Sequence, residues 1–191
     1  VSTTFMRMIA DDPAIILMKV VETGRVRITA KVDYAVRAAV QLAAAEGAGP
    51  VKADAIAAAQ DVPVNFLENI LATMRRAGLV ASRRGGDGGY WLSRPASGIT
   101  VADIVRAVDG PLAAVRGVRP SELEYPAPVE SLREVWVAVR AALRDVLDHV
   151  SVADIAAGDL PDVVANFAAQ PGAWDSPPSL STRSVDKPEI V

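Results

Sequence analysis

Between Ser82 and Ser93 the chain reads SRRGGDGGYWLS, two arginines and four glycines that could cradle a phosphate. Glycine-rich nucleotide loops work through exposed backbone N–H groups and continue into a Lys and a Ser or Thr at the mouth of a helix. Here Tyr90, Trp91 and Leu92 follow, side chains suited to a pleated strand. The spacing of Gly85, Gly86, Gly88 and Gly89 fits neither nucleotide fingerprint. What remains is a hairpin tip on which Arg83 and Arg84 reach a minor groove or its flanking phosphates, with Gly86 and Gly88 allowing close approach. A second group, Asn65, Glu68 and Asn69, falls at the start of an expected helix. Asn pairs bidentately with adenine, and Glu accepts from the cytosine amino group. Thr29, Lys31 and Tyr34 are of types that contact the phosphate backbone.

Other chemistries find little material. The 191 residues contain no cysteine and one histidine, which removes thiolate ligands, disulfides and thiol nucleophiles. His149 lies on an apolar stripe, and no Ser, His and Asp set can be assembled around it. Glu122 and Glu124, near prolines, read as solvated. We therefore expect no enzyme, no metal and no cofactor. No apolar run is long enough to cross a bilayer, since Ala14 to Val21 is short and broken by Lys19. A secretory signal pattern is missing at the start, so the expected location is the cytoplasm, with no membrane partner.

The net charge of −3 hides a division. From Arg25 to Arg94 ten Lys or Arg face six Asp or Glu, a local balance of +4 that leaves −7 for the rest. A basic first half suits a nucleic-acid partner.

The elements that would position these groups can be read from period and punctuation. Val32, Val36, Ala39, Val40 and Ala43 recur at helical spacing from Thr29 until Gly47 and Gly49. A short helix over Ala53 to Gln60 is anchored by Ile56, and Asp61 and Val62 turn the chain into Pro63. The next helix carries Phe66, Leu67, Ile70, Leu71 and Met74 and stops at Gly78. Leu79 to Arg83 and Tyr90 to Ser93 read as two strands of a hairpin. Thr100 with Asp103 marks the start of a helix over Val101 to Val108. Leu132, Val135, Trp136, Val139, Ala142, Leu143, Val146, Leu147 and Val150 form one long stripe that wants a partner, and a capped turn follows from Ser151 to Ala156. No internal repeat is apparent. The expected fold is mainly α with a small β-hairpin wing: a winged helix-turn-helix plus a long C-terminal dimerisation helix.

With these residues in view, the chain resembles the Rrf2 family of bacterial winged-helix transcription regulators. The resemblance rests on VRITAKVDYAVRAA (26–39), VNFLENILATMRRAGLV (64–80), SRRGGDGGYWLSRPASGITVADIVRAVDG (82–110) and LDHVSVADI (147–155). The expected division is a DNA-binding domain over 26–110, a linker over 111–128, where prolines break any period, a dimerisation helix and C-terminal turn over 129–168, and a disordered tail over 169–191, rich in Pro, Ser and charge. Family members usually begin at the position of Val26, so residues 1–25 are expected to be a lineage extension, or an overextended start if a valine-type initiation codon encodes Val26. The resemblance further implies a homodimer, clasped through Leu132, Val135, Trp136, Val139, Leu143, Val146 and Leu147, that binds a dyad-symmetric double-stranded operator; the expected action is repression. Asn65, Glu68 and Asn69 match base-reading positions, and Arg84 matches the wing arginine. Many members hold an iron–sulfur cluster on three cysteines between the DG turn and the long helix. The interval Pro111 to Pro128 has none, and Asp33, which matches an aspartate ligand of the family's nitric-oxide sensor, cannot retain a cluster alone. The chain looks closer to cluster-free members, with an effector protein or small molecule as the signal. Two rival readings are a winged-helix module for protein contact without specific DNA binding, and a nucleotide-using enzyme.

Overall fold

The computed structural model describes residues 28–175. The expected extension over 1–25, with its short helix over Ala14 to Val21, and the tail beyond residue 175 lie outside them.

Helix α1 (Ala30–Ala44) begins where the Thr29 hydroxyl accepts from the Val32 N–H at 3.2 Å. Its buried face is Val32, Ala35, Ala38, Ala39 and Leu42, while Val36, Val40 and Ala43 are only partly buried. The centre of the stripe is thus rotated from the one expected. Alanines take it because their small side chains let neighbouring helices approach closely. Helix α2 (Ala53–Gln60) is anchored by fully buried Ile56, and Asp61 turns the chain in the left-handed region at φ 51°. Helix α3 (Val64–Arg76) follows Pro63 and buries Leu67, Ile70, Leu71 and Met74. Two bonds close its C-terminus, Gly78 N–H to the Arg75 carbonyl and Leu79 N–H to the Met74 carbonyl, each 3.0 Å. Gly78 supplies the positive φ, 73°, that this closure requires.

Strands β1 (Val80–Arg83) and β2 (Gly89–Leu92) pair antiparallel, Val80 opposite Leu92 and Arg83 opposite Gly89. β1 starts one residue later than expected because Leu79 is committed to the end of α3. The hairpin also gains an unexpected third member: Val51 exchanges two backbone bonds with Tyr90, 2.9 and 2.8 Å.

Helix α4 (Val101–Val108) opens with the expected capping box, and α6 (Val152–Ala157) opens with a second, Ser151 with Asp154. The two boxes are antiparallel neighbours: Val101 N–H donates to the Val150 carbonyl at 2.9 Å and Val152 N–H to the Ile99 carbonyl at 2.8 Å. Ile99–Ile104 (ITVADI) and Val150–Ile155 (VSVADI) are near-copies in sequence, a local repeat that corrects the expectation of none. Val152 thereby enters the same core as Ile56, Leu67, Met74, Val80 and Ile104.

Helix α5 (Leu132–Leu147) ends before Val150, which is buried in the link to Ile99 rather than continuing the stripe. Helix α7 (Asp162–Ala168) packs back against α5. The segment 111–128 is more than a tether, since Leu112, Pro120 and Leu123 are buried and the turn Pro120–Glu122 packs on α5. Its anchors are isolated in sequence and carry no period. The architecture is mainly α with a hairpin wing, a winged helix-turn-helix followed by a long helix.

Candidate nucleic-acid interface

The burial of Leu67, Ile70, Leu71 and Met74 orients α3, and Asn65, Glu68 and Asn69 consequently face outward, all exposed. The Asn69 side-chain amide donates to the Asn65 carbonyl at 2.9 Å, one turn back, and the Thr73 hydroxyl repeats the pattern toward Asn69 at 3.0 Å. At the far end of α3, Arg75 donates to the Ser82 hydroxyl at 3.0 Å, fastening the helix to β1.

At the wing tip the Arg83 guanidinium donates to the Asp87 carbonyl at 3.1 Å and stays exposed. Arg84 is exposed, and among the described residues nothing accepts from its guanidinium. Gly88 and Gly89 are held where a side chain cannot go. A Cβ at Gly88 would lie 2.3 Å from the Arg83 carbonyl oxygen, and one at Gly89 2.6 Å from that of Val51. Gly86 has an ordinary φ and open space around it. A cavity of about 450 Å³ lies between the end of α1 and the wing, lined by Leu42, Glu46, Pro50, Arg83, Trp91 and Leu92.

Thr29, Lys31 and Tyr34 have work inside the fold. The Thr29 hydroxyl donates to Asp109 Oδ2 at 2.7 Å while it caps α1, and the Lys31 ammonium donates to the Val108 carbonyl at the end of α4. A cation at a helix C-terminus is favourably placed against its dipole. The Tyr34 ring meets Phe66 of α3 edge-on at 5.8 Å, with the Arg37 guanidinium 5.6 Å from its centroid. Arg37 was missed in the sequence. It donates to the Gln60 carbonyl and side chain and pairs with Asp33 at 3.3 Å, so it ties α1 to the turn before α3. The i, i+4 spacing of Asp33 and Arg37 was its available signal.

Partly covered apolar side chains run along α5. Leu132, Trp136, Val139, Leu143, Val146 and Leu147 are partly exposed, Val135 is 51% exposed, and no residue of the helix is buried. His149, placed just beyond it, is exposed, with Nδ1 2.6 Å from the Asp145 carbonyl.

The family model that matches, Rrf2, described as "Iron-dependent Transcriptional regulator", covers residues 28–158. The protein MT1325 of Mycobacterium tuberculosis is 46% identical over 160 residues, 84% of this chain and 99% of that protein. The HTH-type transcriptional regulator CymR of Bacillus subtilis is 35% identical over 68% of this chain and 89% of its own length. The solved structure of CymR, titled the global cysteine regulator of B. subtilis, superposes with TM-score 0.60 at 32% identity, covering 70% of this chain and 98% of that one. T. potens IscR gives 0.57 at 34% identity, over 70% and 88%. Among the described residues the iron in the family's description finds no fitting donors. The chain lacks cysteine, Asp33 is paired with Arg37, and among the described residues no three His, Cys, Asp or Glu side chains are grouped to hold a metal. Where the resemblance places cluster thiolates, buried Leu112, Pro120 and Leu123 close the loop instead. With the outward row of α3, the glycine-gated wing and these relatives together, the chain belongs to the Rrf2 family of transcriptional regulators.

Proposed function

We propose that the protein is a homodimeric, sequence-specific DNA-binding repressor that works without an iron–sulfur cluster and takes its signal from an effector protein or small molecule. The observation that carries this reading is the outward row Asn65, Glu68 and Asn69 on a helix whose opposite face is locked in the core, adjoining a hairpin tipped by Arg83 and Arg84. In a helix-turn-helix the start of the second helix enters the major groove and reads base edges. The wing arginines then meet the minor groove or its flanking phosphates. Thr29, Lys31 and Tyr34 contribute by fixing the angle of α1 against α4 and α3. Two copies pair through the apolar side of α5, which the described residues leave only partly covered, and the two recognition helices then address a dyad-symmetric operator.

Selection of bound fragments from a random duplex library by the purified full chain tests this. Enrichment of a dyad-symmetric sequence supports it; no enrichment favours a winged-helix module for protein contact. On the selected duplex, Arg84→Ala should lower affinity and reduce the slope of log K against log salt by about two, because the dimer loses one phosphate contact in each half-site and with each the release of about 0.9 counterion. Unchanged affinity and slope would remove the wing from the interface.

A further inference from the structure

The long helix is fastened to the winged helix near its last turn. Among the elements of the winged helix α5 packs chiefly on α4, and its other main neighbours are the Pro120–Glu122 turn and α7. Its C-cap residue is Asp148, a carboxylate at the end where the helix dipole disfavours negative charge. Two guanidinium groups reverse that disadvantage. Arg144 Nε donates to Asp148 Oδ2 at 2.9 Å, and Arg106 Nη2 of α4 donates to Oδ1 at 2.7 Å. Arg106 also lies 3.8 Å from Asp103 Oδ1, and the other oxygen of Asp103 accepts from Arg94 at 2.8 Å. Five charges of alternating sign thus run from the exit of the wing, across α4, to the end of α5. Burial tends to raise the Asp148 pKa, but the bonds from Arg144 and Arg106 outweigh it and hold the carboxyl below its ordinary value.

We propose that the Arg106–Asp148 pair sets the tilt of α5 on the winged helix and thereby the half-site spacing that the dimer accepts. This rests on the DNA-binding reading above. The link from Val150 and Val152 to Ile99 and Val101 fixes where the chain leaves α5, but it does not by itself fix the direction of the helix. A helix of 16 residues is about 24 Å long, so a tilt of about 5° at one end moves the other by about 2 Å. In a dimer joined through α5 both copies tilt, and the recognition helices separate by an amount comparable to one base-pair step, about 3.4 Å, against a half-site separation of about 34–36 Å. Neither Arg106 nor Asp148 belongs to the surface proposed to touch DNA, so their effect on spacing is one of positioning.

The test rebuilds a selected duplex with one or two base pairs inserted or removed at its centre. Affinities are measured for the full chain, Asp148→Asn, Arg106→Gln and the double variant, with oligomeric state followed by sedimentation. The unaltered chain should prefer its best spacing by tenfold or more. Each single variant should shrink that preference to about threefold while remaining dimeric and binding the best duplex nearly as well. The double variant should match the singles, since all remove the same contact. Unchanged spacing profiles in both single variants, a uniform loss at every spacing, or additive effects in the double variant would overturn the proposal. A chain that enriches no DNA overturns the parent reading and this one with it, whereas a chain with sharp but unaltered spacing overturns this one alone.

Discussion

Glu68 is presented outward because Leu67 and Leu71 are held in the core, one residue before it and three after. Its carboxylate suits a cytosine amino group, so Glu68→Ala should relax base preference at one position of each half-site, by about 1–3 kcal/mol per contact, and leave non-specific affinity unchanged. Competition binding against duplexes carrying each of the four bases at that position measures this; an equal loss on every sequence would count against the assignment. The outward placement of Asn65, Glu68 and Asn69 was legible because it needs only a helix register, which the apolar spacing supplies. The contacts that Thr29 and Lys31 make inside the fold were not. Their hydroxyl and ammonium find partners 80 and 77 positions away, at Asp109 and Val108. No local pattern marks a lysine as the cap of a distant helix.

The wing depends on close backbone approach more than on its charges. Gly88→Ala should destabilise the fold by about 1–3 kcal/mol, since the new methyl meets a backbone carbonyl that cannot yield without moving β1. Gly86→Ala, in open space with an ordinary φ, should stay within about 0.5 kcal/mol. Urea unfolding of the two variants separates them; equal midpoints would mean that the hairpin yields at Gly88. The capped helices carry a pH signature. Asp154 is held below the ordinary carboxylate value by the Ser151 hydroxyl and backbone N–H, and Asp148 is held there by its arginines against the opposing effect of burial. A depressed carboxylate stabilises the folded state fully above its unfolded pKa, about 3.9 for Asp, and loses that contribution as pH falls through the lower folded value. Thermal midpoints should therefore fall below about pH 4, and less steeply in an Asp148→Asn, Asp154→Asn double variant. Parallel curves for the two proteins would remove these carboxylates as the cause.

For the molecule as a whole, the apolar side of α5 is a stripe that the described residues cover only in part. Val135→Glu with Val139→Glu places charge where the proposed second copy packs, and should turn a dimer into a monomer by sedimentation. Neither side chain is buried within one chain, so the thermal midpoint of the monomer should change little. The operator affinity should fall with the dimer. A variant that stays dimeric would move the interface away from this face.

Helix existence and capping were readable in advance: α2 and α4 occupy the expected residues. Thr100 with Asp103 and Ser151 with Asp154 mark helix starts through bonds spanning three positions. Such features are decided within a turn or two of chain, where side-chain period and short-range hydrogen bonding suffice. Tertiary structure alone brought the two capping boxes side by side, joined Val51 to the wing, folded segment 111–128 onto α5, and linked Arg106 to Asp148 across 42 positions. Those contacts depend on how whole elements pack. Their partners are fixed by shape and burial, which a linear pattern of residue types does not carry.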